Sequence, residues 1–118
     1  MIPPLYHTCA ASHAVTALLG SPPRIYLWGE HDGKPQYPYV TYTADGTPGN
    51  YLAQRPDSEA HSLTLDVWAK TADSADAVAA ALRAAIEPHS YVRSVRRLGR
   101  DPETKSYRLR LEVDWATV

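Results

Sequence analysis

The stretch Tyr107-Arg-Leu-Arg-Leu-Glu-Val-Asp-Trp115 decides how this chain is read. Tyr107, Leu109, Leu111, Val113 and Trp115 alternate with Arg108, Arg110, Glu112 and Asp114. A strand sends successive side chains to opposite faces, so this period of two predicts a half-buried strand, apolar on one side and charged on the other. Just upstream, Gly99-Arg-Asp-Pro-Glu-Thr-Lys105 carries the Gly and Asp-Pro breakers of a turn. Before it, Tyr91 to Leu98 reads as another strand, and the two together as a hairpin. Ser62 to Lys70 repeats the alternation. Leu63, Leu65, Val67 and Ala69 point one way; Thr64, Asp66, Trp68 and Lys70 point the other.

Between these strands the period changes to that of a helix. Thr71 to Ser74 supply N-cap candidates, and Ala75, Val78, Ala79, Leu82 and Ile86 fall on one stripe before Pro88 ends the run. Its alanines give it high intrinsic helix propensity. Further out, residues 4–19 read as a first helix. Pro3 and Pro4 suit its start, Ala11, Ala14, Val15 and Leu18 mark its buried face, and Gly20 with Pro22-Pro23 ends it. Arg24 to Trp28 and Tyr39 to Ala44 are β-branched and aromatic, and read as short strands around a Gly/Pro loop from Gly29 to Pro38. Residues 45–61 hold two glycines, two prolines and few apolar residues, and read as a long loop of the kind that carries function. The order predicts an α+β fold: one mainly antiparallel sheet of four to five strands with two helices packed on one face, in a single domain spanning 1–118.

Composition narrows the function. The chain has 118 residues, 44% of them apolar, with 21% charged and a net charge of −1, which argues against wholesale disorder. Cys9 is the one cysteine, so neither an internal disulfide nor a thiolate metal site is expected, and a reducing compartment is. The N-terminal stretch lacks a basic start and an unbroken apolar run, so no secretory leader is expected. No segment approaches the ~20 apolar residues of a membrane helix, and no membrane association is expected.

The chemistry-bearing residues do not converge. Cys9 and His13 lie at i, i+4 on the expected first helix, but a Cys–His nucleophile also needs an orienting group and an oxyanion site, and the sequence offers neither. His7, His13, His31, His61 and His89 are scattered, without metal-ligand spacing. Asp66, Glu112 and Asp114 share the polar sheet face with Lys70, Arg108 and Arg110, so cross-strand ion pairs account for them better than acid–base catalysis. No catalytic residue, cofactor or metal is expected. Arg93, Arg96, Arg97, Arg100, Lys105, Arg108 and Arg110 make the closing hairpin basic, yet Asp101, Glu103 and the net charge argue against tight general DNA binding. Trp68 stands out, because alternation puts it opposite the apolar face of its own strand. Something must cover it: a segment of the same chain such as Tyr51-Leu52, or a neighbouring subunit.

Several segments resemble, in order, the tail-completion (tail-terminator) proteins of long-tailed bacteriophages. Pro3-Pro-Leu-Tyr6 and Ala14-Val-Thr-Ala-Leu-Leu-Gly20 are similar to that family's first helix. Arg24-Ile-Tyr-Leu-Trp28 and Tyr37-Pro-Tyr-Val-Thr41 are similar to its first two strands, Leu63-Thr-Leu-Asp-Val-Trp-Ala-Lys70 to its most typical segment, and Asp101 to Asp114 to its closing hairpin. The resemblance implies a structural protein without catalytic residues. It implies a ring, usually a hexamer, at the head-proximal end of the tail tube, built in the host cytoplasm and carried in the virion. Such a ring stops tube growth, docks to the head connector or head-completion protein, and lets double-stranded DNA pass through its lumen. On face and loop arguments the expected subunit or partner contacts are Trp68, Tyr51, Leu52, Arg108 and Arg110, and the expected lumen- or partner-facing cations are Arg96, Arg97 and Arg100. The alternatives are a head-completion or stopper protein of the same connector, a small nucleic-acid-binding module, and a small enzyme.

Overall fold

A computed structural model of the protein describes residues 4–27, 35–48 and 59–117. The elements run α1 (Leu5–Ala10), α2 (His13–Leu19), β1 (Ile25–Leu27), β2 (Tyr39–Pro48), β3 (Glu59–Ala69), α3 (Ala72–Ile86), β4 (Tyr91–Arg100) and β5 (Tyr107–Thr117). The strands form one sheet in the order β1-β2-β3-β5-β4. Every pair is antiparallel except β1 with β2, which run parallel with Ile25 beside Val40. The class is α+β, as the alternation of β3 and β5 predicts.

Those two strands pair at the centre of the sheet with Leu65 opposite Leu111 and Leu63 opposite Val113. Leu63, Leu65, Val67 and Ala69 of β3 and Leu111 and Val113 of β5 are wholly buried. α3 covers them with Ala75, Val78, Ala79, Leu82 and Ile86, the stripe its periodicity predicts. Thr71 caps α3: its hydroxyl accepts from the Ser74 N–H at 3.1 Å. Burying each of these leucines stabilises the fold by ~1.5–3 kcal/mol relative to leaving it in water.

The expected first helix, residues 4–19, is two helices. Ser12 takes an extended backbone (φ −91°, ψ 121°) and its hydroxyl accepts from the Val15 N–H, so it caps α2 where the sequence pattern continues a helix. The break also moves the buried face. Leu5 and Cys9 of α1 and Val15 and Leu19 of α2 enter the core, whereas Ala11, Ala14 and Leu18, expected to be buried, are exposed. Gly20 ends α2 at φ +86°, ψ 174°, a conformation essentially restricted to glycine.

Both described ends of the expected loop 45–61 are strand. Asp45 to Pro48 pair with Ser62 to Glu59, so the β2–β3 ladder runs on through polar residues and both segments are strand. Ladder hydrogen bonds use the backbone alone, and β3 is held by β2 on one side and β5 on the other as far as Glu59. Trp28, most of the loop from Gly29 to Pro38, and the Tyr51-Leu52 segment lie outside the described residues. β4 forms the outer edge and is interrupted by two bulges, between Val92 and Ser94 and between Arg97 and Gly99. Gly99 has φ +86° there, with nothing within 4 Å of where a Cβ would stand.

Candidate interaction surface on the open sheet face

Among the described residues the three helices pack on one face of the sheet and none covers the other. On it, register brings Tyr39 of β2, Trp68 of β3 and Arg108 of β5 into one row, since Tyr39 pairs with Trp68 and Trp68 with Arg108. The Trp68 indole stacks on the Tyr39 ring, with centroids 6.1 Å apart and planes 13° from parallel, and its Nε1–H donates to Thr41 Oγ1 at 3.1 Å. The Arg108 guanidinium carbon lies 4.8 Å from the Trp68 ring centroid, in cation–π range. Tyr39 also contacts Tyr37 and Tyr26, at 5.3 and 6.3 Å between centroids, and Lys70 Nζ sits 4.5 Å from the centre of the Tyr37 ring. Same-chain aromatics and an arginine thus dress Trp68 and leave it half-buried.

Beside this row sits Asp66, buried on the otherwise exposed face. Arg110 grips its carboxylate with both Nε (2.9 Å to Oδ1) and Nη2 (3.2 Å to Oδ2), and Arg108 Nη2 donates to Oδ2 at 2.7 Å. Burial by itself raises the Asp66 carboxyl pKa. The hydrogen bonds from Arg110 and Arg108, with their charges, outweigh burial and hold the group below its ordinary value. The same contact raises Arg110 further. Arg108 Nε is buried with no acceptor. Thr41, Tyr42, Thr43 and Thr64 line, with Asp66, Arg108 and Arg110, a depression of about 200 Å³.

Toward β4 the face is an ion-pair lattice. Arg93 reaches Glu112 and Asp114, each at 3.5 Å, and Arg96 reaches Glu112 at 3.9 Å. The three expected lumen-facing cations do not form one patch. Arg96 lies on the open face, whereas Arg97 turns to the helix side and bonds Asp76 of α3 at 3.0 Å. Arg100 is exposed at the end of β4. Of the expected contact residues, Arg108 and Arg110 come together around Asp66 and Trp68 lies against Arg108; Tyr51 and Leu52 lie outside the described residues. Sequence reasoning passed over Tyr37, Tyr39 and Thr41. The available signal was the alternation Tyr37, Tyr39, Thr41 on one side of the approach to β2, but only strand pairing places it beside Trp68.

The expected Cys9–His13 proximity on one helix turn is absent, because the two residues lie on either side of the break at Ser12. Cys9 is buried, and burial pushes its thiol up to about 12, while His13 is exposed. Among the described residues no three His, Cys, Asp or Glu side chains gather as a metal site. No described helix is long and apolar enough to cross a membrane.

The fold has a counterpart among solved structures. A chain from the virion of the native gene transfer agent particle matches with a TM-score of 0.71 at 16% identity, over 95% of this chain and 90% of that one, a likeness of fold. No curated protein matches in sequence. The family model for tail completion protein gp17 matches residues 3–117. With that span inside a single family, the chain belongs to the tail completion protein gp17 family and is a structural protein of the phage tail.

Proposed function

We propose that this protein is a tail terminator. Copies of it close into a ring, taken here as a hexamer, on the head-proximal end of the tail tube, stop tube growth and join the tail to the head connector, with double-stranded DNA passing through the lumen. The observation that carries the reading is the two-sided sheet in a chain that matches the tail-completion family almost end to end. One face is sealed by helices; the other presents an ordered row of Tyr39, Trp68 and Arg108 that remains half-exposed. Aromatic and arginine side chains held in place by one another bind with little further loss of rotamer freedom, and such residues anchor interfaces. A head-to-tail contact between different patches of identical subunits closes into a ring when its rotation permits. The matched solved chain belongs to a phage-like virion, which agrees with a place in the particle.

The test uses headless tails and tail-less heads. A terminator co-purifies with tails and appears by electron microscopy at the tube's head-proximal end; co-purification with heads alone would assign it to the connector as a stopper instead. Trp68→Ala sharpens the result. It should cost ~1–2 kcal/mol of folding stability, the loss of a half-buried stacked aromatic, while capping fails. Normal yields of capped tails with Trp68→Ala would place the subunit contacts on another surface.

A further inference from the structure

We propose that the exposed flank of α2, centred on Leu18, docks into an apolar groove between α3 and β4 of a second copy of this chain. The inference rests on the ring reading and gives that ring a contact on the helix side of the sheet. A single exposed leucine is ordinary; its surroundings mark this one. Residues 4–23 contain no Asp, Glu, Lys or Arg, although 21% of the chain is charged. Yet much of the stretch faces outward: Tyr6, His7, Ala14, Ala17, Leu18 and Pro22 are exposed. Ala14, Ala17 and Leu18, spaced by three and four, stand on one side of α2. A helix surface that meets only water ordinarily carries charge, whereas the cores of interfaces are depleted of it.

The groove is the complement of that flank. Ala72 and Ala75 of α3, Tyr107 and Leu109 of β5 and Gly99 of β4 enclose about 230 Å³. An apolar cavity of ~150 Å³ already holds a benzene molecule, so this groove has room for a leucine side chain. The charged residues that border it are engaged, Asp76 with Arg97 at 3.0 Å and Arg108 with Asp66 at 2.7 Å, so an incoming leucine meets no unpaired charge. Leu98 lies between the bordering Arg97 and Gly99, and Val95 precedes Arg97 on the same face; both are exposed. Position decides the occupant. Arg24 joins α2 to β1, donating from Nη2 to the Leu18 carbonyl at 3.3 Å and from Nε to the Pro38 carbonyl at 2.9 Å. Leu18 therefore stands at the β1 edge of the helical layer and the groove at the β4 edge, the two ends of the strand order. One chain cannot bring them together; two chains side by side can, which is what a head-to-tail ring contact requires. Charge agrees, since Arg24 accompanies the key while Asp73 and Asp76 stand on the α3 wall of the groove. The contact is made by side chains and asks no hydrogen bond of the β4 edge.

The experiment compares the full-length wild type with Leu18→Glu, which puts a charge on the key, and Ala72→Trp, which fills the groove from its rim. Ring formation is followed by sedimentation velocity over a concentration series and by electron microscopy on isolated tail tubes, with thermal melts in parallel. Both positions are exposed, so the proposal expects both variants to melt like the wild type, and each to weaken association by about tenfold or more. Mixing the two leaves one good contact per pair, because the intact Leu18 of the Ala72→Trp chain meets the intact groove of the Leu18→Glu chain. The mixture should form one-to-one dimers that grow no further. Should Ala72→Trp fail to fold, Ala72→Leu takes its place. Wild-type association by either variant overturns the contact and leaves the ring standing, as does a mixture that forms no dimers or one that forms full rings. A wild type that forms no ring, free or on tubes, overturns the ring reading and this contact with it. A lowered melt of Ala72→Trp with wild-type association would show that the groove serves packing within one chain, and would likewise overturn it.

Discussion

Thr64, Leu65 and Asp66 are consecutive in β3, yet they inhabit three environments. Leu65 points into the helix-covered core and is wholly buried; Thr64 faces the open side and is half-exposed; Asp66 faces the open side too but is buried under its arginines. One face of the strand holds the fold by removing apolar area from water. The other holds an electrostatic arrangement whose removal would leave the core intact. Fold and surface chemistry are therefore separable along a single strand, and mutations a residue apart should report on different things.

The largest effect should come from the core side. Leu65→Ala, or Leu111→Ala on the facing strand, should cost ~2–5 kcal/mol, read as a lowered denaturant midpoint, because a buried leucine leaves both a transfer loss and a cavity. An unshifted midpoint would invert the assignment of faces. Next comes Asp66→Asn, which leaves two third-exposed guanidiniums without their shared anion. It should cost ~1–3 kcal/mol at neutral pH, below the full value of a buried pair because water reaches both arginines. The pH dependence fixes the sign. The Asp66 carboxyl is held below its ordinary value in the fold, so its contribution is fully present above the unfolded value of ~3.9 and is lost as pH falls through the lower folded one. Acid titrations should show the stability difference between wild type and Asp66→Asn shrinking below about pH 4. A difference that stays constant into strong acid would mean that the ion pair is not its source. The smallest effect should be Thr64→Ala, within ~0.5 kcal/mol, because nothing in the core depends on it.

The two strands that organise the molecule were legible in the sequence because their alternation is unbroken and bounded by turn residues. α3 was legible down to its buried stripe, since Thr71 caps it and alanine favours it throughout. The N-terminal helix was not, because Ser12 caps a new helix in the middle of an apolar-looking run, and side-chain capping competes with a pattern that periodicity alone cannot see through. The polar ends of β2 and β3 were hidden for a related reason: backbone pairing extends them where side chains give no period. The parallel run of β1 beside β2 was unreadable because alternation carries no direction. On the open face, the partnership of Asp66 with Arg108 and Arg110 was foreseeable from shared alternation. The stack of Trp68 on Tyr39 required the register of two strands and was not.

The irregular outer edge of the sheet bears on how the protein behaves when made in bulk. β4 exposes ten residues of strand, long enough to template uncontrolled fibre growth by edge-to-edge pairing. Its two bulges break the even spacing of free N–H and C=O groups. A second chain approaching strand to strand finds only short matching segments. Copies synthesised in excess are thereby kept from sticking to one another along this edge, and growth by sheet extension is closed to them.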